Sequence, residues 1–244
     1  MKLIDSNFID LTITSPPYDN LRKYSSYIFD FETIAKELYR ITKEGGVVVW
    51  VVGDSTEKGS ETGTSFRQAL YFKECGFLLH DTMIFAKNNF VPLTHNRYEQ
   101  QFEYMFIFSK GKPNVFNPLT ELCKSFGKIN SWGYFKGKHE KNYSHRFREN
   151  IEKIPCKKYK YKSNIWYYST GSKNSKGHPA PFPEQLAEDH ILSWSNKGDI
   201  VLDPMAGSGT TLKMAKENNR KYIGIEISKE YCEIINKKLN EGFF

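Results

Sequence analysis

One stretch, DIVLDPMAGSGTTLKMAKENNRKYIGIEIS over residues 199–228, leaves little freedom of architecture. A short apolar run ends on Asp203, and a loop carrying Gly207, Ser208 and Gly209 follows it. A helical pattern begins near Thr210, and a second β-branched run closes on Glu226, twenty-three positions after Asp203. Strand, glycine turn, helix and strand in that order belong to open α/β sheets, which hold ligands where the strands end. The glycines let the backbone approach a ligand closely. An acidic residue at the second strand end is placed to accept both hydroxyls of a ribose.

The same stretch excludes other nucleotide sites. GxGxxG is absent, so it is not a dinucleotide fingerprint. No Lys follows GSGTT, so it is not a P-loop. A ligand with a ribose and no phosphate chain to cradle fits, and S-adenosyl-L-methionine answers that description.

The rest of the chain repeats the alternation. FIDLTIT and VVVWVV read as buried strands. FDFETIAKELYRITK has apolar residues at helical spacing, with EGG expected to end the helix. TSFRQALYFKECG reads as a second helix, and FLLHDTMIFAK and FEYMFIFSK as two further strands. Periodicity fades from about 110 to 177, which predicts an inserted region of short strands or irregular structure. It returns at PFPEQLAEDHILSWS, a helix with Pro near its first turn, and ends in SKEYCEIINKKLN, a helix with Ser228 as its N-cap. The predicted fold is α/β: a doubly wound, mostly parallel sheet formed by residues 1–109 and 178–244, with 110–177 inserted.

Charge marks the insertion. Cys123 to His178 holds fourteen Lys and Arg against three Asp and Glu, while the whole chain carries only +7. Eleven aromatic residues are interleaved with those cations, as in SWGYFKGKHEKNY and CKKYKYKSNIWYY. Cations for phosphates and rings for bases suit a nucleic acid. A small basic subdomain using the rings as its own core is the plainer alternative. Elsewhere the exclusions are simple. No apolar run approaches the ~20 residues of a membrane span, and the start has no apolar h-region of a signal peptide. The four cysteines form no CxxC pair, so reduced thiols of a cytoplasmic protein are expected rather than a disulfide frame or a metal site.

The second unusual stretch is TITSPPYDN, residues 12–20. Two prolines stop a strand abruptly, because neither donates a ladder hydrogen bond and each fixes its φ. With both stretches in view, the chain resembles the amino-group DNA methyltransferases, which methylate cytosine N4 or adenine N6. DPMAGSGTT resembles their cofactor motif and TSPPY their catalytic motif, in the order of the permuted β-type. GHPAPFPEQLAEDHI resembles the segment bordering the methionine end of the cofactor. NRYEQQFEYMFIFSK resembles a strand beside the target-base pocket.

The resemblance implies a Rossmann-like methyltransferase fold, S-adenosyl-L-methionine as cofactor, and double-stranded DNA as partner. It implies a cognate restriction endonuclease as a further partner, and a monomer or homodimer away from membranes. It places the cofactor against Asp203, Pro204, Gly207, Ser208, Gly209, Thr210 and Glu226; His178 either approaches it or caps the following helix. It makes Ser15, Pro16, Pro17 and Tyr18 catalytic. An exocyclic amine conjugated to a base is a poor nucleophile, and two acceptors on its hydrogens, Ser15 Oγ and the Pro16 carbonyl, turn it towards sp³. Tyr18 would stack on a base that has left the duplex.

In that family SPPY leans towards cytosine N4 and DPPY towards adenine N6, and a hydroxyl is a weaker proton sink than a carboxylate, so the resemblance implies cytosine N4. Adenine-N6 or RNA methylation stands as the enzyme alternative, and a catalytically idle DNA-binding subunit as the alternative of another class. Asn20, Arg22 and Tyr24 either line the target pocket or touch a phosphate, and Asp54 and Ser55 help shape the site. The family usually carries a further strand upstream of the catalytic one. Only fourteen residues precede Ser15, and Asp5 is not expected to replace that strand.

Overall fold

The computed structural model describes residues 1–17, 29–89, 96–130, 154–170 and 183–240. In chain order the elements are β1 (Ile9–Thr14), α1 (Phe31–Ile41), β2 (Thr42–Val52), β3 (Thr56–Glu57), β4 (Ser60–Glu61), α2 (Thr64–Glu74), β5 (Leu78–Lys87) and β6 (Phe102–Ser109). Then come β7 (Thr120–Leu122), β8 (Ile129–Asn130), β9 (Ile154–Pro155), β10 (Tyr159–Tyr161), β11 (Ile165–Tyr168), α3 (Glu184–Trp194), β12 (Ile200–Asp203), α4 (Thr210–Glu217), β13 (Lys221–Gly224) and α5 (Lys229–Asn240).

Seven strands form one sheet in the order β11-β5-β6-β2-β1-β12-β13. Only β6 runs antiparallel to its neighbours; the other pairings are parallel. The ends of β1, β2, β12 and β13 therefore gather Ser15, Gly53, Asp203 and Gly224 along one carboxyl edge, where open α/β sheets bind ligands.

The strands that carry the edge are apolar without interruption because both faces are covered. Val47 to Val52 are all buried. Val48, Trp50 and Val52 join Phe72, Phe77 and Phe108 in a core beneath α1 and α2. There the Phe72 and Phe108 rings stack at 4.5 Å, and the buried Trp50 indole donates to Gln68 Oε1 at 2.8 Å. The opposite face carries Met105, whose sulfur lies 3.3 Å from His190 Nε2 of α3. Burial holds that imidazole neutral, its pKa pushed down to about 3.

Two expectations differ from the structure. EGG does not end the first helix. Thr42 is the C-cap, and Glu44, Gly45 and Gly46 lie inside β2, where the register with β1 slips between Ile9↔Thr42 and Leu11↔Val47. Gly45 takes φ +76°, and a Cβ there would run into the Asn114 side chain, itself tied to the Glu44 carbonyl. Gly45→Ala is therefore expected to cost about 1–3 kcal/mol, read as a lower urea midpoint at unchanged slope. Second, Ile165–Tyr168 is a strand of the main sheet, parallel to β5, although it falls within the expected insertion 110–177. Trp166 and Tyr168 are buried while Ile165 and Tyr167 are exposed, the alternation of a strand covered on one face.

The chain divides into two compact units, Met1–Asn117 with Ser163–Phe244, and Pro118–Lys162. Within the second, β7 pairs with β10 and β8 with β9, both antiparallel. Phe126, Tyr159 and Tyr161 are exposed there, and Lys160 pairs with Glu121 at 2.8 Å. Among the described residues, no helix is long and apolar enough to cross a membrane, and no cluster of His, Cys, Asp and Glu could hold a metal ion.

Candidate active site

β1 and β12 are neighbours, parallel, and in register at Leu11↔Val201 and Thr12↔Leu202. The Ser-Pro-Pro loop and the glycine loop consequently leave the sheet side by side, though 188 positions separate Ser15 from Asp203. One hydrogen bond joins their roots: Thr14 Oγ1 donates to Asp203 Oδ1 at 2.8 Å, with both side chains buried. The Met205 amide donates to the same oxygen at 3.1 Å, and the Thr211 hydroxyl also bonds the carboxylate. Burial pushes the Asp203 pKa up to about 6, with the nearby Glu226 charge adding to the rise and these donors opposing it.

The glycine loop is held from two sides. Gly207 and Gly209 both take positive φ, 50° and 78°. A Cβ on Gly209 would stand 2.8 Å from Ile235, so α5 supports this turn closely. Lys238 of α5 donates to the Ser208 carbonyl at 2.7 Å. Gly209 is the N-cap of α4 and supplies no side-chain cap, while Thr210 and Thr211 are buried in its first turn. Pro204 is buried directly after Asp203.

Glu226 lies just beyond β13, whose last residue is Gly224. Its Oε2 accepts from the Gly207 amide at 2.7 Å, and its Oε1 from the Ile227 and Ser228 amides at 2.9 and 2.8 Å. A carboxylate has about four lone-pair sites, so three amide donors leave room for one more. Glu226 thus fastens the glycine loop to the end of β13. Ser228 accepts from the Tyr231 amide at 3.4 Å, in the N-cap position expected of it.

On the other motif, Ser15 and Pro17 are half-buried and Pro16 is buried. Tyr18, Asn20, Arg22, Tyr24 and His178 lie outside the described residues. Asp54, after β2 on the same edge, accepts from the Ser65 amide at 2.8 Å and from the Ser65 hydroxyl at 2.5 Å. It thereby caps α2, whose own N-cap Gly63 has no side chain to do so. Ser55 beside it is buried.

Sequence reasoning does not reach Thr14, Thr211 or Lys238. A threonine ending a β-branched run reads as strand packing. A lysine late in a helix reads as a solvated charge. Only the fold shows which carboxylate or carbonyl each one meets.

Comparison with known proteins bears on the family and the fold. A family model for DNA methylases matches residues 9–237. The orphan methyltransferase M.BamHII of Bacillus amyloliquefaciens is 58% identical over 237 residues, covering 95% of this chain and 88% of that protein. The solved PvuII DNA methyltransferase, titled cytosine-N4-specific, gives a TM-score of 0.66 at 21% identity, over 99% of this chain and 89% of that one. A complex of M1.HpyAVI with SAM gives 0.57 at 24% identity, over 95% and 89%. At such identities the likeness to the two structures is one of fold.

Proposed function

Because the chain belongs to the DNA methylase family, we propose that its paired edge loops transfer a methyl group from S-adenosyl-L-methionine to cytosine N4 of DNA. The observation that carries this reading is the junction at Thr14 and Asp203, where the Ser-Pro-Pro loop starts beside a buried carboxylate. The residues fit such a cofactor. The partners of Asp203 are hydroxyls and an amide, and the close packing of Gly209 on α5 keeps the turn free of side-chain bulk. Asp203, Pro204, Gly207, Ser208, Gly209, Thr210 and Glu226 would hold it. Bound there, it supplies an electrophilic methyl on a sulfonium.

The protein's own task is then the amine. Ser15 Oγ and the Pro16 carbonyl accept the two amine hydrogens and localise the nitrogen lone pair; the nitrogen takes the methyl, which leaves the sulfonium a neutral thioether, and the surplus amine proton passes to water. The prolines keep that carbonyl from reorganising as the nitrogen changes hybridisation. Tyr18 stacks on the flipped base. A neutral serine at this place favours cytosine over adenine, because no carboxylate is present to draw a proton strongly. The basic unit Pro118–Lys162, with its exposed Phe126, Tyr159 and Tyr161, takes the DNA backbone and bases.

The test is transfer of labelled methyl from S-adenosyl-L-methionine to mixed-sequence duplex DNA, followed by nucleoside analysis. N4-methylcytosine is the expected product. N6-methyladenine would keep the methyltransferase and overturn the base assignment. Transfer to RNA alone would overturn the substrate.

A further inference from the structure

β1 carries two buried threonines on one face, Thr12 and Thr14, 0% and 1% exposed. They differ in one respect. The Thr12 hydroxyl has no hydrogen-bond partner among the described residues, whereas the Thr14 hydroxyl donates to Asp203 at 2.8 Å. A valine would serve the strand equally well at either position, since β-branching and burial are all that packing asks. The hydroxyl of Thr14 is therefore committed to the carboxylate across the strand boundary, and the next residue in the chain is Ser15.

We infer that Thr14 is a positioning residue that links the grip on the cofactor at Asp203 to the placement of the base-side acceptor at Ser15. Its hydroxyl and the Met205 amide share Asp203 Oδ1, and with the Thr211 hydroxyl they hold the carboxylate in place. The same hydrogen bond pins the last residue of β1 where the chain turns into Pro16 and Pro17. Loss of the hydroxyl leaves a buried carboxylate short of one donor and the Ser15 loop short of one anchor. Both halves of the reaction are then affected by a residue that touches neither substrate. The inference rests on the roles proposed above for Asp203 and Ser15.

The experiment compares Thr14→Val, Thr14→Ser and Thr12→Val with the wild type. Cofactor affinity is read by calorimetry, and kcat with KM for cofactor and for DNA by methyl transfer. Thr14→Val is expected to raise the cofactor Kd and KM about tenfold, the scale of one hydrogen bond to a charged group, and to lower kcat several-fold with the DNA KM unchanged. Thr14→Ser should restore each value to within about twofold, because it keeps the donor. Thr12→Val, which removes an equally buried hydroxyl that bonds nothing described, should leave all of them unchanged. Wild-type kinetics in Thr14→Val would overturn the inference, and so would equal losses in Thr14→Val and Thr12→Val. A wild type that binds cofactor and transfers no methyl would overturn the proposed function instead. The calorimetric comparison of the variants would still decide the Asp203 half of the inference.

Discussion

Replacing Ser15 with alanine is expected to lower kcat by about 10²–10³-fold while cofactor affinity stays within about twofold, the scale seen when one preorganised polar group is lost at a reacting centre. The amine needs two acceptors to release its lone pair from the ring. Removing Ser15 Oγ leaves the Pro16 carbonyl alone. The hydrogen bond from Thr14 to Asp203 is kept in this variant, so the carboxylate beside the cofactor loop keeps that donor. Single-turnover transfer measured beside calorimetric cofactor binding separates the two effects. Equal loss of binding and turnover would sink the assignment of Ser15 to the base side.

The second large effect concerns Asp203. Asp203→Asn keeps the shape and an oxygen to accept from Thr14 and Met205, but removes the charge. Cofactor affinity is expected to fall about 10–100-fold, as for a lost charge-assisted hydrogen bond in a buried site. The stability of the free protein should move the other way. The folded-state pKa of about 6 lies above the ordinary 3.8, with burial the leading cause and Glu226 contributing. A raised carboxyl pKa means that this group's stabilisation is fully present below about 3.8 and is lost as pH rises through 6. At about pH 8 the asparagine variant should therefore be more stable than the wild type by about 3 kcal/mol, with the gain shrinking towards about pH 5. Urea unfolding of both proteins at the two pH values checks the sign. A variant less stable at the higher pH would show that the carboxylate is held by its donors more strongly than burial opposes it.

The glycine loop is legible in the sequence because its chemistry is local. Gly207 and Gly209 are required by the turn's own positive φ, and Asp203 and Glu226 stand at the ends of apolar runs. The strand at 165–168 is not legible in the same way. Its alternation is only four residues long and lies inside a basic, aromatic stretch, so composition outweighs period. The glycine pair at 45 and 46 misleads for another reason. Gly after a helical pattern is a stop signal on its own, yet here Thr42 closes α1 and the glycines serve a slip in strand register against β1. That slip is a property of two strands and cannot be read from one.

The class of fold, most of the strands and helices of its sheet, and the two loops proposed to carry the chemistry follow from the residues read in a line. Periodicity, the conformational limits of proline and glycine, and charged residues at strand ends act over a few positions, so a local reading captures them. The pairing of β12 with β1 is of another kind. It alone brings Thr14 to Asp203, and the folding of α5 and the β13 end onto the same edge lets Glu226 fasten Gly207 and Lys238 hold the Ser208 carbonyl. Such contacts join residues far apart in the chain. They depend on which strands pair and in what register, and that is settled by the burial of the whole core rather than by any one segment.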